Sequence, residues 1–264
     1  MSDVTYLGAD RVPSPGSGLS FGIDIGGTGI KGAIVDLRTG EFVGERHRID
    51  TPQPATPERV ARTVDTIVEH FGWTGPVGLT LPGVVKDGVM TTAANVDRSW
   101  IGTDVEALFR RSLHGRRVRV LNDADAAGLA EQAYGGGAHL DTGLVILLTL
   151  GTGIGSAVLY DGTLIPNSEL GHMEVDGIVA EQQASAKVRK DRDWSLKTWA
   201  GHLSTVLVHY ERIFSPDLFI VGGGISRKAD RWIPHLTNAV PVVPAALRNT
   251  AGIVGAAMAV VDDR

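Results

Sequence analysis

Three glycine clusters and a scattered set of carboxylates are the parts of this sequence best suited to chemistry. The apolar run Leu19 to Ile25 carries Asp24 near its end and opens into Gly26-Gly27-Thr28-Gly29, with Lys31 just beyond. A glycine turn after a buried strand presents backbone N–H groups with no side chain in the way, which suits the grip of a phosphate. A tight β-turn that needs glycine only for its dihedrals explains one such cluster equally well. Gly151-Thr152-Gly153-Ile154-Gly155 and Gly222-Gly223-Gly224 also follow apolar runs, however, and this repetition favours phosphate. Neither common glycine motif applies. Gly-x-x-x-x-Gly-Lys-Ser/Thr is absent, and the segment after Gly29 reads as a strand where a dinucleotide fingerprint needs a helix.

Asn122 and Asp123 end another apolar run, Val118 to Leu121, where an α/β sheet delivers catalytic groups to its crevice. Asp123 either caps the following helix or acts as a base, and Asp125 could equally supply the cap and leave Asp123 to chemistry. Downstream, Asn167, Ser168, Glu169, His172 and Glu174 gather within one loop, and Glu181 stands near the start of a helix. Such a mixture of acceptors and two-way groups reads neutral polyols well, because each hydroxyl both donates and accepts. Glu169 and His172 are spaced to converge on one face of a turn. His172 serves equally as a structural histidine, and it has no second ligand at zinc spacing.

These residues need elements to hold them. Thr56-Pro57-Glu58 supplies an N-cap, a first-turn proline and an acidic first turn, after which Val60, Val64, Ile67 and Phe71 recur at helical spacing. Further helices are predicted from about Thr103, over Ala124 to Tyr134, Ala180 to Lys190, Asp193 to Phe214 and Thr250 to Val261. Helices interleaved with short buried strands predict α/β layers. The strand–turn–strand pattern at Phe21 to Val35 returns at Leu147 to Leu159, which suggests a duplicated lobe with a ligand cleft between the two copies. A net charge of −5 gives no global positive field to gather nucleic acid or an anionic membrane. The sequence has no cysteine, which excludes disulfides, thiolate zinc sites and thiol catalysis, and fits a reducing compartment. No apolar stretch is long enough to span a bilayer, and residues 1–18 read as a flexible tail, so the expected location is the cytoplasm.

Taken in order, Asp24-Ile25-Gly26-Gly27-Thr28-x-Ile30-Lys31, Leu81-Pro82-Gly83, Asn122-Asp123-Ala124, Leu150-Gly151-Thr152-Gly153-Ile154-Gly155, Glu169-x-Gly171-His172 and Gly222-Gly223-Gly224-Ile225-Ser226 resemble the ROK family of sugar kinases, from about Ser20 onward. Thr51 to Pro57, Ala93 to Trp100 and Gly223 to Asp230 resemble its actinobacterial branch of polyphosphate glucokinases and polyphosphate/ATP glucomannokinases. The resemblance implies an actin-like ATPase fold of two RNase H-like lobes: residues 19–123, completed by a C-terminal helix over about 250–264, and residues 124–249. It implies transfer of a phosphoryl group from polyphosphate, and ATP, to the 6-hydroxyl of glucose, or an ATP-dependent hexokinase using glucose or mannose. Asp123 would be the base. Asn95, Asn122, Glu169, His172 and Glu181 would hold glucose with the backbone at Gly83. Gly26, Gly27, Thr28, Gly29, Lys31, Gly151, Thr152, Gly153, Gly223 and Gly224 would hold the donor, with Asp24 orienting a Mg²⁺–phosphate unit. A homodimer is the family expectation.

Many members carry a cysteine-rich zinc motif between the histidine loop and the downstream glutamate. Here His172 to Glu181 is short and has no cysteine, so no structural zinc is expected and other packing must position the loop. Lys187, Arg189, Lys190 and Arg192, and then Arg227, Lys228 and Arg231, are either solvated helix faces or a track for a polyanion. The resemblance favours the track. A DNA-binding regulator of the family would need a helix-turn-helix ahead of the first strand, where only the tail stands. A catalytically dead sugar sensor would have lost the base or the phosphate turns, and both are present.

Overall fold

In the computed structural model, residues 18–93 and 96–261 are described; residues 1–17, 94, 95 and 262–264, and with them most of the expected tail and Asn95, lie outside the described residues. The chain divides into two compact units. One comprises the described residues of Met1–Val120 and Ala256–Arg264, the other Leu121–Gly255.

The first unit opens on the hairpin β1 (Leu19–Ile25) and β2 (Gly29–Asp36), then β3 (Glu41–Phe42), β4 (His47–Asp50), α1 (Pro57–His70), β5 (Val77–Leu81), the small ribbon β6 (Val85–Lys86) and β7 (Val89–Met90), α2 (Val105–Ser112) and β8 (Val118–Asn122). Its sheet runs β3-β2-β1-β5-β8, with β4 also on β2 and β1 parallel to β5. Because side chains alternate along a strand, Phe21, Ile23 and Ile25 all enter one core with Val60, Val64, Ile67 and Val68 of α1 and Val105 and Phe109 of α2. Ser20, one residue out of phase, instead donates to the carbonyl of Ala257 at 2.7 Å. Gly78 lets the backbone at Ala256 lie directly on β5, where a Cβ would collide with it. Thr56 takes the extended N-cap conformation ahead of Pro57 but makes no capping hydrogen bond, so α1 begins on its proline and its buried stripe alone.

The second unit contains α3 (Asp123–Tyr134), β9 (Leu144–Leu150), β10 (Ile154–Tyr160), β11 (Thr163–Ile165), β12 (Glu174–Val175), β13 (Ile178–Val179), α4 (Ala180–Ala184), α5 (Ala186–Asp191), α6 (Leu196–Phe214), β14 (Leu218–Gly222), β15 (Val242–Pro244) and most of α7 (Ala251–Ala259). Its sheet runs β11-β10-β9-β14-β15. Alternate residues of β9 enter opposite cores. Ile146, Leu148 and Leu150 pack with Trp199, Leu203 and Tyr210 of α6, whereas Val145 and Leu147 pack with Ala157, Leu159, Ala127 and Leu129. Both faces being covered is why this strand is apolar at every position but Thr149.

The helix expected over Ala180 to Lys190 is two helices. Ser185 leaves helical geometry and its Oγ accepts from the N–H of Val188 at 3.3 Å, ending α4 and capping α5. α6 starts at Leu196 behind a Ser195 cap, after the left-handed Asp193. The two glycine hairpins share antiparallel pairing and a parallel third strand, but their turns differ. Ile25 pairs with Ile30 and Leu150 with Ile154, so the first loop is one residue longer.

Candidate active site

The first unit presents Asp24 beside the Gly26–Gly29 turn. Register places Lys31 across from Asp24, and Lys31 Nζ lies 3.1 Å from Asp24 Oδ2. On the other side Asp24 pairs with Thr80 of β5, whose hydroxyl donates to Asp24 Oδ1 at 3.1 Å. Within the turn the carbonyls are tied down. Thr51 Oγ1 donates to Gly26 O at 2.5 Å and Arg48 Nη2 to Thr28 O at 3.1 Å. The N–H groups of Gly27 and Thr28 have no hydrogen-bond partner among the described residues, and Thr28 is exposed. With the carbonyls of Gly26, Thr28 and Gly29 bonded and the N–H groups of Gly27 and Thr28 open, the turn has the donors an anion needs. None of Gly26, Gly27 or Gly29 has a positive φ, so these glycines answer to close approach; a Cβ on Gly29 would lie 2.6 Å from Arg48 Nε. Gly83, at the end of β5, lies flush against the backbone of Thr92.

In the second unit the cap of α3 is Asn122, not Asp123 or Asp125. Asn122 has extended backbone at the end of β8, and its Oδ1 accepts from Ala124 N at 2.7 Å and Asp125 N at 3.2 Å. Asp123 is exposed at the first helical position, its Oδ1 2.9 Å from Ala124 N. Asp125 points inward and is 2% exposed.

Glu169 and His172 bracket a single 3₁₀ turn, Leu170–His172, with His172 Nδ1 3.8 Å from Glu169 Oε2. Glu181 lies in the first turn of α4, and its carboxylate sits against the second glycine turn, 3.4 Å from Ile154 N and crowding Gly153. At that turn Gly151 N donates to Gly153 O and Gly151 O accepts from Lys187 N, each at 3.0 Å. The N–H groups of Thr152 and Gly153 have no partner among the described residues. Gly223, with φ 85°, has its α-carbon against the carbonyl of Leu150, so the third glycine cluster adjoins the second. Asn95 lies outside the described residues.

The profile of the ROK family matches residues 20–191. The chain belongs to the ROK family. It is 57% identical over 263 residues to the polyphosphate glucokinase of Mycobacterium tuberculosis (strain CDC 1551 / Oshkosh), covering 98% of this chain and 99% of that one. It superposes on the inorganic polyphosphate/ATP-glucomannokinase of Arthrobacter sp. strain KM with a TM-score of 0.84 at 53% identity, over 92% of this chain and 98% of that one. The ROK family glucokinase of Streptomyces griseus, solved with glucose and AMPPNP, superposes with a TM-score of 0.76 at 26% identity, over 92% and 99%. The fold is the actin-like ATPase fold of ROK sugar kinases.

Several site groups of this ROK protein carry no signal in the sequence. Thr80, Thr51 and Arg48 reach Asp24 and the first turn only through sheet register. Asp125, which the sequence offered only as a cap, is instead turned inward. Burial pushes its carboxyl up to about 7; the N–H of Asn167 opposes the shift, and the carboxylates of Glu169 and Asp123 add to it. With the folded-state pKa above the ordinary value, the folded chain holds a proton that the unfolded chain releases, so this group costs stability as pH rises from about 4 to about 7 and no more above that. Asp125→Asn stays neutral throughout. Urea melts of both proteins should show the variant gaining on the wild type across that window by on the order of a few kcal/mol. A difference independent of pH would mean that Asp125 titrates normally.

Proposed function

We propose that this protein is a glucokinase that transfers a phosphoryl group from inorganic polyphosphate, and also from ATP, to the 6-hydroxyl of glucose. Its likeness to a polyphosphate glucokinase over nearly the whole of both chains supports the reaction, and its likeness to a polyphosphate/ATP-glucomannokinase supports two donors. Asp123 accepts the proton of the glucose 6-hydroxyl as that oxygen bonds to the terminal phosphorus and the bond to the departing phosphate breaks. Glu169, His172, Glu181, Asn95 and the amide of Asn122 hold the sugar, with the backbone at Gly83. The turns at Gly26, Gly27, Thr28 and Gly29, at Gly151, Thr152 and Gly153, and at Gly223 and Gly224 bind donor phosphates through N–H groups, and Lys31 adds charge. Asp24, a hard oxygen donor oriented by Lys31 and Thr80, suits a hydrated Mg²⁺. Held there by Asp24, such an ion would supply charge neutralisation for the transferring phosphates. We also assign the protein to the cytoplasm and, on the family resemblance, to a homodimer.

The observation that carries the polyphosphate donor is the starting point of the two basic segments. The backbone of Lys187 bonds to the second glycine turn, and the segment Gly224–Arg231, with Arg227, Lys228 and Arg231 exposed, springs from the third. A nucleotide needs a base pocket, whereas a polyphosphate needs cations leading away from the reacting phosphate. Lys187 pairs with Asp191 one helical turn on, so the second segment offers the less compensated charge. Glucose 6-phosphate should form from nucleotide-free polyphosphate, with KM falling as the polymer lengthens and rising steeply with salt. Arg227→Glu with Lys228→Glu should raise the KM for long polyphosphate at least ~10-fold and that for ATP far less. No product from polyphosphate refutes the donor and leaves the kinase reading standing.

A further inference from the structure

Glu169 is held by its neighbours' backbone, and buried side chains from three different elements grip that backbone. Asp125 Oδ2 of α3 accepts from Asn167 N at 2.7 Å, and Asn167 itself is left-handed, with φ 60°. Ser156 of β10 acts in both directions, its hydroxyl donating to Ser168 O and accepting from Leu170 N at 2.8 Å. Tyr210 of α6 donates its hydroxyl to Leu170 O at 2.6 Å, and burial raises its phenol pKa, so it remains a donor. The three side chains are 2%, 3% and 0% exposed. Gly171 completes the seat, since a Cβ there would strike the carbonyl of Ile154. Two polar groups on each side of Glu169 are therefore satisfied by side chains rather than by water or a ladder, which fixes the turn in one conformation.

We propose that Asp125, Ser156 and Tyr210 are positioning residues that preset the Glu169 carboxylate for the sugar. The inference rests on the reading of Glu169 as a glucose ligand. The loop between His172 and Glu181 is a two-residue-strand hairpin, β12 with β13, which turns at the left-handed pair Asp176 and Gly177. Beyond it, the last residue of α4 is fastened in the same manner, by Trp199 Nε1 donating to Ala184 O at 2.9 Å. A carboxylate placed in advance gives up less freedom when glucose binds. The clamp should therefore act on sugar affinity and leave donor affinity alone.

Steady-state kinetics of Ser156→Ala, Tyr210→Phe and Asp125→Ala, each alone and combined with Glu169→Gln, tests this. Each single variant should raise the glucose KM about 5–20-fold, the range for leaving a buried backbone group unpaired. The donor KM should stay within about twofold, and Asp125→Asn, which keeps an acceptor for Asn167, should restore most of the loss seen with Asp125→Ala. In the Glu169→Gln background the same substitutions should add less than about twofold to the glucose KM, because they act through the group already removed. Additive effects, equal losses for sugar and donor, or no change from a folded Ser156→Ala would each overturn the clamp. Should Tyr210→Phe fail to fold, Ser156→Ala, which removes one oxygen atom, still decides the matter. A normal glucose KM in Glu169→Gln alone would overturn the clamp together with the sugar assignment; a raised one with inert clamp variants would overturn the clamp only.

Discussion

Asp123→Asn is expected to lower kcat at least ~10²-fold, the scale for loss of a general base, while the glucose KM moves by no more than a few fold. The structure makes this substitution clean. Had Asp123 been the cap of α3, its loss would weaken the helix start and blur catalysis with stability. The cap is Asn122, which binds the N–H groups of both Ala124 and Asp125, and Asp123 stands exposed at the next position. Asn keeps the size of the side chain and an oxygen within reach of Ala124 N, so melting temperature should be nearly unchanged. The missing property is the capacity to take a proton from the sugar hydroxyl. A kcat within a few fold of wild type in a folded protein would return Asp123 to a structural role and remove the base from the mechanism.

Asp24→Asn should be almost as damaging, with kcat down roughly 10²–10³-fold, the range found when a group aimed at transition-state charge is removed. Here the sugar KM should again hold, and the Mg²⁺ concentration for half-maximal rate should rise, because the substitution takes a charge from the place proposed for the ion. Stability should suffer little. The Asp24–Lys31 pair is about a fifth to a quarter exposed, and partly solvated pairs of this kind contribute about 0–1 kcal/mol. Thr80 can still donate to the remaining amide oxygen. An unchanged Mg²⁺ requirement with kcat within about fivefold would show that Asp24 serves only to hold Lys31.

The basis for choosing these two aspartates was present in the sequence. Glycine turns after apolar runs, the stripe Val60, Val64 and Ile67, and the order of the motifs depend on neighbours within a few residues, where backbone sterics and side-chain period act directly. The same local rules offered Asp123 and Asp125 as the cap and passed over Asn122, although all three side chains can accept from a helix start. The end of β8 decided it, by giving Asn122 the extended backbone of an N-cap and turning Asp125 inward. Nor could they find Thr80 opposite Asp24, Tyr210 on Leu170 or Ser20 on Ala257, the last pair separated by 237 positions. Thr80 reaches Asp24 because β5 lies beside β1 in the sheet, and the other two contacts join elements that are distant in the chain and brought together by packing, so the polar groups carried along must find partners wherever packing has left them. The sequence by itself determined the layered α/β class and the glycine turns; packing alone decided that Thr80 meets Asp24 and that Asn122 caps α3.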